Sequence, residues 1–200
     1  MKKFLIVMTA LALGGGIAQA NLLVNGGFED GTTSWTGPWG NGTVENWNTP
    51  PEGTEAFYLK GNWAGSGTNE GILQATGAGS ITPGSSYTVS GSFYLDNGWT
   101  ASAQGVKLEF FDSGNNLLGG FTNSLGDLTA SQWNTRSLTA TAPNNSSYAQ
   151  VVFEVTGAGA GGVLGADNLG LSAQAVPEPT SAALFGLIGV GLVLFRRKKI

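Results

Sequence analysis

The sequence contains neither cysteine nor histidine in its 200 residues. Without thiols there can be no disulfide, thiolate metal site or cysteine nucleophile. Without imidazole the commonest general base and the commonest transition-metal ligand are missing, and no serine has a histidine to activate it. Basic residues are also scarce. Between residues 21 and 175 only Lys60, Lys107 and Arg136 face twelve acids, so this stretch carries a net charge near −9 against −4 for the whole chain. Such a balance argues against nucleic acid and anionic lipid as partners and is compatible with divalent cations and neutral polymers. The same stretch lacks any sustained 3.6-residue apolar pattern. Its glycine clusters, at 77–79 and 157–162, precede no helix and read as turns rather than phosphate loops.

The two ends differ from the rest. Lys2 and Lys3 precede an apolar run from Phe4 to Leu13, then Gly14–Gly16 and Ala18-Gln19-Ala20. A charged start, a short apolar helix and an A-x-A site predict a secretory signal peptide over 1–20, removed by signal peptidase before Asn21. At the other end, Val176-Pro177-Glu178-Pro179 cannot continue a helix or ladder through its prolines. An apolar run, Ala182 to Phe195, is broken only by glycines and followed by Arg196-Arg197-Lys198-Lys199. Residues 180–195 read as a short transmembrane helix of roughly 24 Å whose basic end stays cytoplasmic.

Residues 176–200 resemble the PEP-CTERM sorting tail, the substrate of exosortase-type membrane proteases. The resemblance implies a temporary inner-membrane anchor, cut near Pro177–Pro179, and release toward the cell surface or extracellular matrix. The implied partners are the secretion machinery, signal peptidase and that protease.

Residues 21–175, about 155 in number, are one domain's worth. Period-two alternation recurs there: Tyr87, Val89, Phe93 against Thr88, Ser90, Ser92; Val106, Leu108, Phe110 against Lys107, Glu109; Leu138, Ala140 against Ser137, Thr139; Val151, Phe153, Val155 against Gln150, Glu154. Shorter runs stand at 22–24, 56–60, 72–75, 117–121 and 163–171, with a hairpin loop at Asp112–Asn116. The expected fold is all-β, an antiparallel jelly-roll β-sandwich of eight or nine strands in two sheets. The only helices expected are the signal and the membrane span.

Asn21 to Glu29 with Trp35, the stretch from Trp133 through Pro143 to Phe153, and Ala166-Asp167-Asn168-Leu169-Gly170-Leu171 resemble jelly-roll carbohydrate-binding modules of the galactose-binding-like group. The resemblance implies that first and last strands meet near a structural calcium, with Glu29 and Asp167 as its acids; solvated strand-end acids are the competing reading. It also implies core places for Trp35 and Trp133.

Of six tryptophans, Trp39, Trp47, Trp63 and Trp99 lie among Gly, Asn, Pro and Thr, in expected loops. A flat indole stacks on the C–H face of a pyranose while nearby amides and carboxylates bind its hydroxyls. These four are the candidate glycan-binding residues, with plugging of the sandwich ends as the alternative. Tyr94, Lys107, Glu109, Gln150 and Glu154 are expected to point away from the core, onto a solvated face or a binding face. Glu109 and Glu154 share a facing and are the one carboxylate pair suited to glycoside hydrolysis, but so small a sandwich offers little wall for a deep site. The reading is therefore a non-catalytic, exported, polysaccharide-binding protein. The rivals are a structural or adhesive matrix protein and a small glycosidase.

Overall fold

A computed structural model describes residues 20–61 and 68–174. The signal segment up to residue 19, Trp63, the sorting motif Val176–Pro179, the span 180–195 and the basic end Arg196–Lys199 lie outside the described residues. Among the described residues no helix is long and apolar enough to cross a membrane.

Among the described residues ten strands form: β1 (Thr36–Trp39), β2 (Thr43–Glu45), β3 (Ala56–Leu59), β4 (Thr68–Ala75), β5 (Ser86–Leu95), β6 (Ala103–Phe111), β7 (Leu117–Ser124), β8 (Trp133–Thr141), β9 (Tyr148–Ala158) and β10 (Leu164–Ala173). They make two five-stranded sheets, β1-β4-β9-β6-β7 and β2-β3-β10-β5-β8, with every pairing antiparallel. This is the expected all-β sandwich, with no helix among the described residues.

The alternating strands bury the expected faces. β9 sends Ala149, Val151, Phe153 and Val155 inward, β6 sends Val106, Leu108 and Phe110, and β5 sends Tyr87, Val89 and Phe93. Their rings interlock across the sheets: Phe153 lies 5.8 Å from Phe93 and 6.2 Å from Phe57, centroid to centroid. Burying such side chains contributes roughly 1.5–3 kcal/mol each and is the main force joining the sheets.

The β6–β7 hairpin forms where expected. Asp112 N–H donates to the Asn116 carbonyl at 3.1 Å, and Asp112 Oδ1 accepts from the Gly114 and Asn116 amides at 2.8 and 2.9 Å. Residues 22–24 differ from expectation. They form no ladder strand and are tied instead by Leu22 N–H to the Leu171 carbonyl at 2.7 Å. The 157–162 turn starts later than expected, because β9 continues to Ala158.

Two strands had no period-two signal. β1 contains Gly37 and Pro38 and sits at a sheet edge, where a missing N–H is tolerated. β2 is three residues long.

Candidate functional site

Three places in the fold gather polar or aromatic groups. The first is where the N-terminal segment meets β10. Leu169 N–H donates to the Gly26 carbonyl at 2.9 Å, and a Cβ at position 26 would overlap the Leu169 carbonyl, so only glycine allows this approach. Asn25 organises the following loop, donating from Nδ2 to the carbonyls of Gly31 and Thr33 while its own carbonyl accepts from Trp35 Nε1 at 2.9 Å. Trp35 is buried against Phe28, 5.1 Å away.

Asp167 is wholly buried beside this junction. Its Oδ2 accepts from Glu52 N–H at 2.8 Å and its Oδ1 from Asn168 N–H at 2.7 Å. Burial pushes its carboxyl up to about 6; the two amides oppose the rise, and the charges of Glu52 and Glu29 add to it. Glu29 is the opposite case. It is exposed, its Oε1 accepts from the amides of Glu55 and Thr54 at 2.7 and 2.8 Å, and these bonds hold it below its ordinary value. The first and last segments of the domain therefore meet, and Glu29, Glu52 and Asn168, the neighbour of Asp167, line one cavity of about 320 Å³.

Among the described residues no three acids are close enough to form an all-carboxylate metal cluster. Oxygen donors are nonetheless what a hard cation takes, and each Asp167 oxygen keeps a lone pair after its single amide bond. Glu29 and Asp167 are thus oxygen donors of the type such a cation takes, each already engaged by backbone amides.

The second place is the outer face of the first sheet. The Trp39 indole of β1 packs against Gly71 of β4, where any Cβ would strike it. Register then carries the row onward: Gly71 pairs with Glu154 of β9, and Glu154 with Gly105 of β6. Lys107 Nζ is ion-paired to Glu154, and Gln150 Nε2 donates to Glu109 Oε2 at 3.3 Å. Burial raises the Glu109 carboxyl, partly offset by Lys107. Phe111 and Tyr148 close the far end as a parallel stack, 5.1 Å between centroids and 6° apart. From Glu154 to Tyr148 is roughly 20 Å at ~3.3 Å per residue. A cavity of about 230 Å³, lined by Gly105, Lys107, Thr122 and Glu154, opens on this face. Lys107, Glu109, Gln150 and Glu154 thus share one face, as expected, whereas Tyr94 belongs to the other sheet.

The third place is the outer face of the second sheet. Tyr58 of β3 and Tyr94 of β5 flank Gly165 of β10 in one cross-strand row, which Trp133 of β8 continues. Trp47 covers Tyr58 from the preceding loop, 5.5 Å away. Trp133 is therefore not a residue of the inter-sheet core, contrary to expectation. It shares the parity of Thr135, Ser137 and Thr139, whereas Leu138 and Ala140 face inward, so the alternation itself held the signal.

The tryptophans named from the sequence do not form one groove. Trp39 and Trp47 sit on opposite outer faces. Trp99 is buried in the core cluster at one end of the sandwich, its Nε1 donating to Gln104 Oε1, so it offers little ring surface. Trp63 lies outside the described residues. Sequence reasoning missed the Trp39–Gly71 contact because it joins residues of different strands with no local signature.

A model of carbohydrate binding domains matches residues 20–160. The chain belongs to the carbohydrate binding domain family. Among solved structures it is similar to "Family 16 Carbohydrate Binding Module-2" at 22% identity and a TM-score of 0.58, covering 76% of this chain and 99% of that one. It is similar also to the xylan-binding CBM22-1 domain of Paenibacillus barcinonensis Xyn10C, at 17% identity and 0.51, over 80% and 99%. A third similar structure is TmCBM61 in complex with β-1,4-galactotriose, at 17% identity and 0.55, over 78% and 99%. Similarity to the enzymatically active domain of tailspike protein 4 of bacteriophage CBA120 reaches a TM-score of 0.60 at 14% identity but covers only 21% of that chain. No curated protein matches. At these identities the structural neighbours establish the shared sandwich fold.

Proposed function

We propose that this protein is a non-catalytic glycan-binding protein that holds a neutral polysaccharide chain along the outer face of its first sheet. The single observation carrying this is Trp39 packed against Gly71 at one end of a row of hydrogen-bonding side chains, Glu154, Lys107, Gln150 and Glu109. The indole stacks on a sugar's C–H face, and the polar row binds hydroxyls and fixes orientation. Membership of the carbohydrate binding domain family supports the same reading, as do neighbours whose names include xylan and β-1,4-galactotriose.

The hydrolytic alternative is disfavoured by the same groups. Glu154 is engaged by Lys107. Glu109 and Glu154 stand on an open sheet face, without the enclosing walls of a deep cleft.

Binding is tested by titrating the exported domain with xylan, β-1,4-galactan and β-glucan. At least one should bind, and Trp39→Ala should weaken it by about thirtyfold or more, the loss of one ~2 kcal/mol contact. Binding to none, with self-association instead, would favour a purely structural role. Release of reducing ends that stops in Glu109→Gln or Glu154→Gln would make it a glycosidase.

The reading includes a structural calcium at Asp167 and Glu29. It would neutralise a buried carboxylate that has two acidic neighbours and link the first and last segments of the sandwich domain, coupling metal binding to folding. Chelation should then lower the melting temperature; an unchanged melt removes the metal from the account.

The route to the polysaccharide is read from the ends: signal-peptide export, transient anchoring by residues 180–195, and exosortase-type cleavage at Val176–Pro179. Mass spectrometry of the mature protein should find a start at Asn21 and loss of Arg196–Lys199. A mature chain retaining that basic end would contradict the route.

A further inference from the structure

The first-sheet face uses Trp39 and leaves Trp47 unexplained. Trp47 lies on the other side of the sandwich and is 39% exposed. Its ring is nevertheless held in place. Tyr58 lies 5.5 Å from it, and Lys60 Nζ sits 4.7 Å from its centroid. The Trp47 carbonyl accepts from the Tyr58 hydroxyl, and the next carbonyl, that of Asn48, accepts from Trp133 Nε1 at 2.8 Å. Asn48 and Thr49 have φ of 55° and 50°, a left-handed conformation that a β-branched threonine disfavours. The surrounding bonds hold the loop in this conformation, with the indole partly open to solvent.

The Lys60 ammonium lies over part of the ring and brings an acceptor with it. Lys60 Nζ pairs with Glu45 Oε1 at 2.9 Å, and both side chains remain partly exposed. Past Trp133 the outward positions of β5 and β8 are uncharged: Thr88 and Thr139 hydroxyls meet at 2.7 Å, Ser86 and Thr141 at 3.2 Å. From Trp133 to Thr141 this hydroxyl ladder extends roughly 27 Å at ~3.4 Å per residue.

We infer that the outer face of the second sheet is a second carbohydrate-binding surface, centred on Trp47 and the Lys60–Glu45 pair, for an uncharged pyranose chain. A partly exposed indole with a donor and an acceptor at its ring, and hydroxyls further along the same face, matches a sugar chain with its C–H face and hydroxyl rim. Trp47 is the only large hydrophobic residue exposed there among the described residues, so the face lacks the apolar core of a protein interface. The acidic domain disfavours polyanions. With chains on opposite faces, one domain cross-links two of them; that consequence, and only that, rests on the first-sheet reading.

The test uses the sandwich domain as wild type, Trp39→Ala, Trp47→Ala and the double variant, each against xylan, β-1,4-galactan and β-glucan, with light scattering to follow cross-linking. The expected result is residual binding in Trp39→Ala that falls tenfold or more in the double variant, with wild-type scattering lost in either single variant. Because Trp47→Ala uncovers Tyr58, Lys60→Met and Glu45→Gln provide a second test that leaves the ring in place; each should weaken the residual binding severalfold with unchanged melting. If Trp39→Ala abolishes binding while Trp47→Ala and Lys60→Met bind as wild type, the second surface is overturned and the first stands. If Trp47→Ala abolishes binding while Trp39→Ala keeps it, the second surface stands and the first reading fails. A wild type that binds none of the three overturns both.

Discussion

The outer faces of the two sheets are built from the same strand alternation and differ in what the outward positions carry. On the first sheet, Trp39 fronts a charged, hydrogen-bonded row in which Lys107 engages Glu154 and Gln150 engages Glu109. On the second, Trp47 and Trp133 border hydroxyl pairs without charge along β5 and β8. Between them lies one apolar core, so stability is shared while chemistry is not. The lesson is that a sandwich separates its concerns by parity: inward residues fix the fold, outward ones are free to specify two surfaces. Mutations can therefore be sorted by the face they touch.

The largest expected effect erases the comparison. Phe153→Ala removes a ring that touches Phe57 and Phe93 of the opposite sheet and should cost about 3–5 kcal/mol of stability in chemical denaturation. Both faces should lose function together. Gly71→Ala is sharper. The added methyl strikes Trp39 and crowds the Phe153 carbonyl, so it should destabilise by about 1–3 kcal/mol and displace the indole without deleting it. Glycan affinity should fall on the first face and stay unchanged on the second, as read by titration in the Trp47→Ala and Trp39→Ala backgrounds.

Next comes pH. Asp167 is pushed up to about 6 from 3.8, so its protonated form is favoured by folding. In chelator, the stability it contributes is full below 3.8 and is lost as pH rises toward 6. Glu29 is lowered from 4.5, so its contribution is present above that pH and is lost as the medium becomes more acidic. Melts across this range should show the Asp167 decline, absent in Asp167→Asn. Calcium should restore the melting temperature at neutral pH if the acids hold it. The smallest effect is Thr139→Ala, an exposed hydroxyl on the second face, expected within ±0.5 kcal/mol of wild-type stability and without effect on the first face.

The strands with clean alternation were legible because burial on one face imposes period two. β5, β6 and β9 turn the expected residues inward, and the Asp112–Asn116 hairpin follows from its turn chemistry. The meeting of Gly26 with Leu169 was legible only through the family resemblance of the two ends, since no local pattern couples residues so far apart. β1 escaped detection because its Gly37 and Pro38 oppose ladder formation, and with it went the placement of Trp39. Trp133 was misplaced in the core although Leu138 and Ala140 already fixed the phase of its strand. Side-chain type proposed tryptophans and acids as site residues. Which of them share a face depended on register between strands distant in sequence, and register is set by the assembled sheet.

The most direct measurement is an amide-resolved NMR titration of the sandwich domain with xylo-, galacto- and cello-oligosaccharides. The account predicts that at least one moves the Trp39 indole signal together with the amides of Lys107, Gln150 and Glu154. Saturable shifts that spare all four positions, or no saturable shift with any of the three, would contradict it.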